Sequence, residues 1–328
     1  MTTRWGIAGL GRIANLVAGD FPHVPDAELV AAASRSRARA EEFARRHGAA
    51  RAYGSYGELI ADPEVDVVYV ATPHPQHHAI ALAAIRAGKA VLVEKAFTAT
   101  LAGAEEIVAE ARARGVFAME AMWTRFQPAV VRARELLAQG AIGSVVSVQV
   151  ELGIARDFDP SDRLFAPELG GGALLDLGCY VVSLAQMVLG TPRTVHVAGG
   201  YEPNGVEGAA TLLLGFEDGR SATLTTSLHS PMPGSARIFG SEGWLELPPR
   251  FHHPTRLVLH RDEPREESHP PLGGGYSHEL IEVTSCVRAG ETESKVMPLD
   301  DTLAVMSVLD QAGRQLGLTW SEDASVEV

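Results

Sequence analysis

The chain has 328 residues, of which 46% are apolar and 21% charged. A chain of this length exceeds what one hydrophobic core usually supports, so we expect two domains. The net charge is −13, and no Lys/Arg-rich block is present. This acidic balance argues against nucleic acid and anionic membranes as partners, because both need a positive protein surface.

Residues 1–122 alternate short apolar runs with helical patterns. The predicted strands cover residues 5–8, 28–33, 66–71, 90–93 and 116–119. The predicted helices cover residues 12–21, 36–47, 77–88 and 101–114, and Gly48 and Gly115 are expected to end two of them. Strands that alternate with helices of ~10–15 residues predict a parallel sheet covered on both faces. We therefore assign residues 1–122 to a doubly wound α/β domain, the Rossmann type.

Residues 123–328 have a different pattern, and the change of composition near residues 121–123 marks the domain boundary. A predicted helix at 127–139 precedes a strand at 144–154 and a glycine-rich helix start at 170–172. Strand-like runs follow at 193–201, 209–216, 220–228, 236–240 and 256–260, with a hairpin turn at 217–219. Helical patterns at 278–288 and 300–316 close the chain. We expect an α+β domain with a large, mostly antiparallel sheet that binds substrate and forms a dimer.

The segment Gly9-Leu10-Gly11-Arg12-Ile13-Ala14 fits the pattern G-x-G-x-x-A between the first strand and the first helix. The glycines let the backbone approach a pyrophosphate, whose charge then lies at the helix N-terminus. The alternative is a tight turn whose glycines serve packing only, but the strand–turn–helix context favours nucleotide binding. The residues assigned to the cofactor site are Gly9, Gly11, Arg12, Ile13 and Ala14.

The end of the second strand favours NADP over NAD as the cofactor. NAD-binding domains carry an acid there to bond the ribose hydroxyls, whereas this strand ends with Ser34 and Arg35. A guanidinium suits a 2′-phosphate, which a carboxylate would repel. We assign Ser34, Arg35 and Arg39 to the cofactor site. The alternative for Arg39, together with Arg37, is an exposed helix face paired with the glutamates at 41 and 42.

Two further motifs follow strands of the first domain, ATPHPQHH at 71–78 and EKA at 94–96. Together with the glycine loop, they resemble the glucose–fructose oxidoreductase / inositol dehydrogenase / MocA family (Gfo/Idh/MocA). EAMWTRFQP at 120–128 and GGGALLDLGCY at 170–180 are similar to its dimeric dihydrodiol dehydrogenase / NADP-dependent D-xylose dehydrogenase branch. The resemblance covers nearly the whole chain. It implies a dimeric oxidoreductase that acts on an aldose or a trans-dihydrodiol.

The resemblance also implies roles for individual residues. Lys95 and Tyr180 match the family's catalytic lysine and the branch's catalytic tyrosine, and Asp176 matches an acid of the substrate site. Trp123 and Arg125 match positions that wall the cofactor and substrate cleft. The residues that match the segment lining the nicotinamide half of the cofactor are Thr72, Pro73, His74 and His77.

The sequence departs from the family pattern at two positions. Ala96 replaces a proline after the catalytic lysine, and its effect on the backbone behind Lys95 is left open. His74 replaces a more common asparagine, as in the dihydrodiol branch. Neither change removes a reacting group.

The chemistry of alcohol oxidation gives these residues physical roles. Asp176 and Tyr180 are spaced i and i+4, so a helix would place both on one face. A phenol with a pKa near ~10 is a poor base unless a cation lowers that pKa. Lys95 is either that cation or a group that bonds the substrate oxygen. The alternative for Lys95 is a strand-end lysine that reaches water.

Glu94 precedes Lys95 in the strand and is therefore expected to point to the opposite face. We assign it to the strand end and the cofactor region. Phe158 is assigned to the substrate site, where it could form an aromatic wall with Phe165 and Trp244. A place in the hydrophobic core is an equally supported alternative for these three residues. The histidines at 74, 77 and 78 are interpreted as helix-start or cofactor contacts rather than metal ligands, and those at 252 and 253 as solvated.

The apolar runs are shorter than the ~20 residues of a membrane span, and the N-terminus lacks the layout of a signal peptide. Two cysteines are too few for a disulfide scaffold or a zinc site. We therefore expect a cytoplasmic protein that binds a small molecule and no metal.

Together these observations predict an NADP-dependent oxidoreductase that transfers a hydride between the nicotinamide and a secondary alcohol or hemiacetal. A homodimer, or an oligomer built from dimers, is expected because a large antiparallel sheet needs a cover. The alternatives are an NAD-dependent sugar or inositol dehydrogenase and a non-catalytic NADP-binding sensor.

Overall fold

The computed structural model describes residues 2–328, which form two compact units. The first unit contains the residues up to Ala121 together with Leu272–Leu303 and Ser321–Val328. The second unit contains Met122–Pro271 and Ala304–Trp320. Each unit has its own β-sheet.

The first unit contains a six-stranded sheet in which every pair of neighbours is parallel, in the order 3-2-1-4-5-6. This order is that of a doubly wound Rossmann sheet, so the predicted fold class is confirmed. Helices cover both faces, which explains why the central strands read as continuous apolar runs. The strands are β1 Thr3–Ala8, β2 Ala27–Ala33, β3 Arg51–Tyr53, β4 Val67–Val70, β5 Ala90–Glu94 and β6 Ala118–Ala121.

The helices of the first unit begin where side chains accept hydrogen bonds from free backbone N–H groups, and several end at glycines with positive φ angles. Ser36 and Thr100 accept hydrogen bonds from first-turn N–H groups, and Gly48 and Gly115 adopt positive φ angles of 76° and 63° at predicted ends. The helices are α1 Arg12–Asp20, α2 Arg37–His47, α3 Tyr56–Ala61, α4 His74–Arg86 and α5 Leu101–Arg114, with a 3-10 turn at Phe21–His23. β3 and α3 were not predicted.

The second unit contains an eight-stranded sheet in the order 14-13-12-11-7-10-9-8. Only the pair formed by the seventh and tenth strands is parallel among the pairs within residues 2–328, so the prediction of a mostly antiparallel sheet is confirmed. Gly219, with φ of 82°, lies in the predicted hairpin. The strands are β7 Val145–Gly153, β8 Thr194–Tyr201, β9 Glu207–Gly215, β10 Ser221–Ser227, β11 Ala236–Gly240, β12 Trp244–Leu247, β13 Arg256–His260 and β14 Arg265–Ser268.

Two helices of the second unit, α6 Pro128–Ala138 and α7 Cys179–Leu189, pack on its sheet. The stretch Pro167–Leu189 is long and apolar enough to cross a membrane by length and composition, although 78% of its most apolar part is buried within the protein, as in a core helix. Near the end of the chain, α8 Ser277–Ala289 belongs to the first unit, and α9 Leu299–Gln315 begins in the first unit and continues in the second.

Candidate functional site

The glycine loop after β1 leaves the N-terminus of α1 open. Gly9 has φ of 91°, and a Cβ atom there would lie 2.7 Å from Cγ2 of Thr72. Gly11 precedes the helix without a side-chain hydrogen bond to its first turn, and a Cβ on Gly11 would meet no atom within 4 Å. The backbone N–H groups of Arg12, Ile13 and Ala14 therefore face open space at the positive end of the helix, which suits a pyrophosphate.

Two hydroxyl groups flank this loop. The Thr72 hydroxyl is buried and has no hydrogen-bond partner within residues 2–328. A buried hydroxyl without a partner is costly, so this group also fits a bound ligand. Ser34, at the end of β2, accepts a hydrogen bond from the N–H of Ser36 at 3.3 Å, which shapes the turn into α2.

The three arginines after β2 differ in their partners. Arg37 forms an ion pair with Glu41 at 3.2 Å, as the alternative interpretation of this segment expected. The guanidinium groups of Arg35 and Arg39 are exposed and form no ion pair with any carboxylate in residues 2–328. Two unpaired cations where NAD-binding domains carry an acid fit a 2′-phosphate.

His77 connects the loops that follow β4 and β5. Its Nε2 lies 2.7 Å from the carbonyl oxygen of Thr72, and its Nδ1 lies 3.1 Å from that of Ala96. Burial lowers the pKa of His77 to about 4, although both carbonyl groups favour the protonated ring. A neutral imidazole carries a single N–H, so the ring donates to only one of these carbonyl oxygens and contacts the other while it packs between Thr72 and Ala96. His74 packs edge-on against His77 with the ring centres 5.8 Å apart.

Glu94 shapes the end of β5 just before Lys95. Its carboxylate accepts hydrogen bonds from the Tyr69 hydroxyl at 2.5 Å and from the backbone N–H of Lys95 at 3.2 Å. Burial and the nearby Glu94 raise the pKa of Tyr69 well above its ordinary value, so this phenol remains a donor. Lys95 is half-buried, and its peptide bond to Ala96 is cis. The prediction that Glu94 orients the strand end agrees with these contacts.

A second buried carboxyl group, Glu279 of α8, lies in the same electrostatic neighbourhood. Both of its oxygens are buried without a hydrogen-bond partner in residues 2–328. Burial, together with the charges of Glu94 and Asp20, raises the pKa of Glu279 well above its ordinary value. Asp20 anchors the start of α8 by accepting hydrogen bonds from three backbone N–H groups at 2.7–3.0 Å. Sequence reasoning missed Glu279, because α8 follows the second sheet in the chain.

The second unit gathers a different set of side chains around Tyr180. The indole N–H of Trp123 donates a hydrogen bond to the Tyr180 hydroxyl at 3.0 Å. His253 stacks on Trp123 with ring centres 4.8 Å apart, and His252 lies 5.4 Å from the Tyr180 ring. The expectation that these two histidines are solvated was wrong: both are half-buried in this aromatic cluster. Their Pro-rich loop carried no periodic signal that pointed there.

The helix that carries Tyr180 does not have the predicted geometry. Residues Leu174–Gly178 form a π-helical turn before α7 begins, so Asp176 and Tyr180 are separated by roughly one turn of this wider helix rather than by one turn of a regular α-helix. The Asp176 carboxylate accepts a hydrogen bond from Arg163 at 3.0 Å. π-Helical turns are frequent at functional sites.

Glu207 of β9 explains where this turn begins. Its carboxylate accepts a hydrogen bond from the backbone N–H of Leu174 at 2.8 Å. A Cβ on Gly172, where φ is 124°, would collide with the carboxylate oxygens of Glu207. Only glycine leaves room for this contact, which explains part of the glycine run at 170–172. Burial raises the pKa of Glu207 to about 7.

We predict that Glu207 makes folding stability fall as pH rises. The folded carboxyl keeps its proton up to about pH 7, whereas the unfolded chain loses it near ~4.3, so the folded state binds more protons in between. Unfolding free energy from this group should fall by on the order of 3 kcal/mol over that window. Urea unfolding of wild type and Glu207→Gln at pH 5 and pH 8 measures it. A stability difference that is independent of pH would contradict the prediction.

The remaining predicted residues of the second unit are placed as follows. Arg125 is buried, and its guanidinium donates to Ser183 Oγ at 3.1 Å and to Gln186 Oε1 at 2.5 Å, so it ties the Trp123 turn to α7. Phe158 is 37% exposed and packs edge-on against the buried Phe165. Trp244, by contrast, stacks on His260 in the neighbouring strand at 3.5 Å.

Within residues 2–328, no group of three or more His, Cys, Asp or Glu side chains is arranged to hold a metal ion. His78, the third histidine of its run, bonds Glu106 at 2.8 Å. The first unit thus brings together the glycine loop, the Arg35 segment, Thr72, His77 and the Glu94–Lys95 turn. The second unit brings Trp123 to Tyr180 and places Asp176 beside Arg163.

Comparison with known proteins matches both domains to one family. Residues 3–122 match the family model "Oxidoreductase family, NAD-binding Rossmann fold", and residues 130–246 match the model "GFO/IDH/MocA C-terminal domain". Trans-1,2-dihydrobenzene-1,2-diol dehydrogenase of Xenopus tropicalis is 37% identical over 98% of this chain and 100% of that protein. The mouse protein of the same name is 38% identical over 98% of this chain and 99% of its own length.

Two solved structures extend the comparison. The aldose-aldose oxidoreductase of Caulobacter crescentus, complexed with glycerol, has a TM-score of 0.88 and 26% identity over 97% of this chain and 98% of that one. KijD10, a 3-ketoreductase of Actinomadura kijaniata in complex with NADP and TDP-benzene, has a TM-score of 0.84 and 28% identity over 96% of this chain and 98% of that one. With both of its domains matched, this chain belongs to the GFO/IDH/MocA family of oxidoreductases.

Proposed function

We propose that this protein is an NADP-dependent dehydrogenase that oxidises a secondary alcohol or hemiacetal, either an aldose at C1 or a trans-diol. The observation that carries the proposal is the position of Lys95 directly after β5, on the same edge of the parallel sheet as the open glycine loop. Ligands of doubly wound sheets bind at this edge. The names of the relatives, dihydrodiol dehydrogenase and aldose-aldose oxidoreductase, support the substrate class.

The residues of the first unit fit a bound dinucleotide. The N–H groups after Gly11 would hold the pyrophosphate, and Arg35 and Arg39 would hold the 2′-phosphate. When bound, NADP would supply the hydride acceptor for the substrate carbon. Lys95 supplies a donor that stabilises negative charge on the substrate oxygen. The neutral His77, which donates to one of the carbonyl oxygens of Thr72 and Ala96 and contacts the other, packs against the Lys95–Ala96 turn.

In the second unit, the proposal gives Tyr180 the role of proton acceptor for the substrate hydroxyl. Its hydroxyl group already accepts the Trp123 indole N–H at 3.0 Å. A donated hydrogen bond favours the phenolate over the phenol. Trp123 is thereby a positioning residue whose hydrogen bond stabilises the ionised form of Tyr180. The Arg163–Asp176 pair offers a charged donor and an acceptor to the remaining hydroxyl groups of a sugar or diol.

The test of the proposed reaction is initial-rate formation of reduced cofactor with NADP and with NAD. The panel contains D-xylose, other aldoses, inositols and trans-cyclohexanediol, and the Lys95→Met variant is the control. Turnover of an aldose or diol that the variant loses supports the proposal. Cofactor binding without turnover across the panel would favour the non-catalytic sensor.

We predict that Arg35→Ala raises the KM for NADP by about 10- to 100-fold, which corresponds to one or two hydrogen bonds to a charged group, and leaves the KM for NAD within about twofold. Arg37→Ala is the matched control, because Arg37 lies two residues away and is paired with Glu41. Steady-state kinetics with each cofactor at saturating substrate measure both values. Equal effects of Arg35→Ala on NADP and NAD would refute the assignment of the 2′-phosphate.

The proposal includes a homodimer formed through the open face of the eight-stranded sheet. Leu213 of β9, which alternates with the buried Leu212 and Leu214 and so lies on the open face, is 50% exposed. An antiparallel sheet with one helix-covered face leaves the other open to water or to a second copy of the chain. Light scattering at micromolar concentration should give the mass of two chains or a multiple of it, and the mass of one chain would contradict the proposal.

A further inference from the structure

A buried carboxyl group of β9 lies at the start of the turn that leads to Tyr180. Glu207 is 1% exposed, and its carboxylate accepts a hydrogen bond from the backbone N–H of Leu174 at 2.8 Å. Leu174 is the first residue of the π-helical turn, and the N–H groups at a helix start have no partner inside the helix. Glu207 therefore caps this turn from a neighbouring strand.

Leu174 connects the carboxyl group to Tyr180 through one further hydrogen bond. Its carbonyl oxygen accepts the backbone N–H of Cys179, the residue before Tyr180. This bond is of the i→i+5 kind and closes the π-helical turn. Beyond it, the Tyr180 hydroxyl accepts the indole N–H of Trp123 at 3.0 Å. A short series of bonds within the second unit thus joins Glu207 to the phenol and its partner.

The contact with Glu207 favours the π-helical turn over a regular α-helical one. Leu174 is fully buried, so its N–H would be costly to leave without an acceptor. A change to regular i→i+4 bonding would rotate the residues that follow about the helix axis, and Tyr180 would then no longer face Trp123. Gly172 keeps the space for the carboxylate, since a Cβ there would lie 2.3 Å from one of its oxygens.

We propose that Glu207 is a positioning residue for Tyr180, because by holding the N–H of Leu174 it fixes the π-helical turn in the register that directs the phenol to Trp123 and to the substrate. This inference rests on the proposed role of Tyr180 as the proton acceptor. A displacement of about 1 Å caused by a distant mutation can cost about 100-fold in rate. Glu207 acts through Leu174 and is not itself a catalytic residue.

Three variants separate the hydrogen bond of Glu207 from its bulk. Glu207→Gln retains an acceptor for the Leu174 N–H, and at pH 6 it matches the charge of the largely protonated acid, whose pKa burial raises to about 7. Glu207→Leu keeps much of the bulk and removes the acceptor. Glu207→Asp keeps the carboxyl group and shortens the side chain by a methylene group.

Glu202→Leu is the matched control. It removes a carboxylate that is only 9% exposed and that lies on the same β8–β9 hairpin. The hydrogen bond of Glu202 is to His229, at 2.6 Å, and not to the π-helical turn.

Two quantities are measured on the full chain at pH 6. Steady-state kinetics give kcat and the KM for NADP with the substrate that wild type oxidises. The second quantity is the position of the Trp123 indole N–H resonance in protein labelled with ¹⁵N-tryptophan. Trp123→Phe identifies this resonance among those of the four tryptophans. It reports the contact between Trp123 and Tyr180 without any need for turnover.

Glu207→Leu is expected to lower kcat by about 10- to 100-fold, to leave the KM for NADP unchanged, and to move the Trp123 resonance towards that of an indole without a hydrogen-bond partner. Glu207→Gln should keep the wild-type kcat and resonance. Glu207→Asp no longer reaches the Leu174 N–H and should resemble Glu207→Leu, so it decides the question if leucine prevents folding. Glu202→Leu should lose stability but keep kcat and the resonance.

A wild-type resonance in folded Glu207→Leu or Glu207→Asp would overturn the inference. An equal shift in Glu207→Gln or in Glu202→Leu would also overturn it, because the hydrogen bond to Leu174 would then not be the cause. If wild type oxidises no substrate of the panel, the proposed function fails, and the resonance still decides the role of Glu207. If the resonance moves in Glu207→Leu while kcat does not change, Glu207 positions Tyr180 and the role of Tyr180 as the base fails.

Discussion

Replacing Lys95 with methionine is expected to lower kcat for alcohol oxidation by about 10²–10⁴-fold, the range for a positioned proton-transfer group, and to leave the Kd for NADP within about threefold. Methionine keeps the length of the apolar stem and removes the ammonium group. The ammonium takes no part in the hydrogen bond from the Lys95 N–H to Glu94 or in the contact of His77 with the Ala96 carbonyl oxygen. The turn should therefore keep its shape, and the loss should reflect chemistry. Stopped-flow single-turnover kinetics and cofactor titration measure the two quantities.

The Lys95→Arg variant separates charge from geometry. Arginine keeps a permanent positive charge but is a planar fork rather than a compact donor, and it does not release its proton. Recovery of most of the activity in Lys95→Arg would show that electrostatic stabilisation is enough. A rise in the Kd for NADP that matches the fall in kcat would instead make Lys95 a binding residue, and wild-type turnover in Lys95→Met would refute the role altogether.

The first sheet was predictable because its strands are long apolar runs with clear helix ends between them. Gly48 and Gly115 marked two helix ends, and both glycines have the positive φ that makes them suitable. β3 and α3 were missed, since a strand of three residues, Arg51–Tyr53, shows no periodicity. α3 did have a local signal, because the capping box formed by Ser55 and Glu58 is by itself a signature of a helix start.

The parts of the site that could not be predicted depend on contacts between distant segments. Glu279 lies far along the chain from Glu94, and contacts such as the anchoring of α8 by Asp20 hold both in one unit. The π-helical turn before Tyr180 depends on a carboxylate from β9. Local patterns contain no trace of such contacts, so the spacing of Asp176 and Tyr180 suggested a regular helix. The glycine loop and Arg35 could be predicted because the residues that define them are close together in the sequence.

Tyr180→Phe is the second variant with a large expected effect: kcat for oxidation should fall by about 10²–10³-fold if the phenol accepts the substrate proton. Phenylalanine keeps the ring that packs near His252 and loses only the hydroxyl group. In wild type, kcat/KM should rise with pH until the phenol is ionised, because the base form is the active one. The variant should show a low rate without that rise. Initial rates from pH 6 to pH 10 measure both effects.

A structural role for the Tyr180 hydroxyl must be separated from a catalytic one, because the hydroxyl also accepts the buried Trp123 N–H. Trp123→Phe removes that donor and keeps the hydroxyl group, so the two variants form a double-mutant cycle. If Tyr180 only satisfies the indole, Tyr180→Phe should cost nothing further in a Trp123→Phe background. If Tyr180 is the base, the loss of about 10²-fold or more should persist there, and Trp123→Phe alone should shift the pH profile of kcat/KM to higher pH, since the phenolate has lost a hydrogen-bond donor.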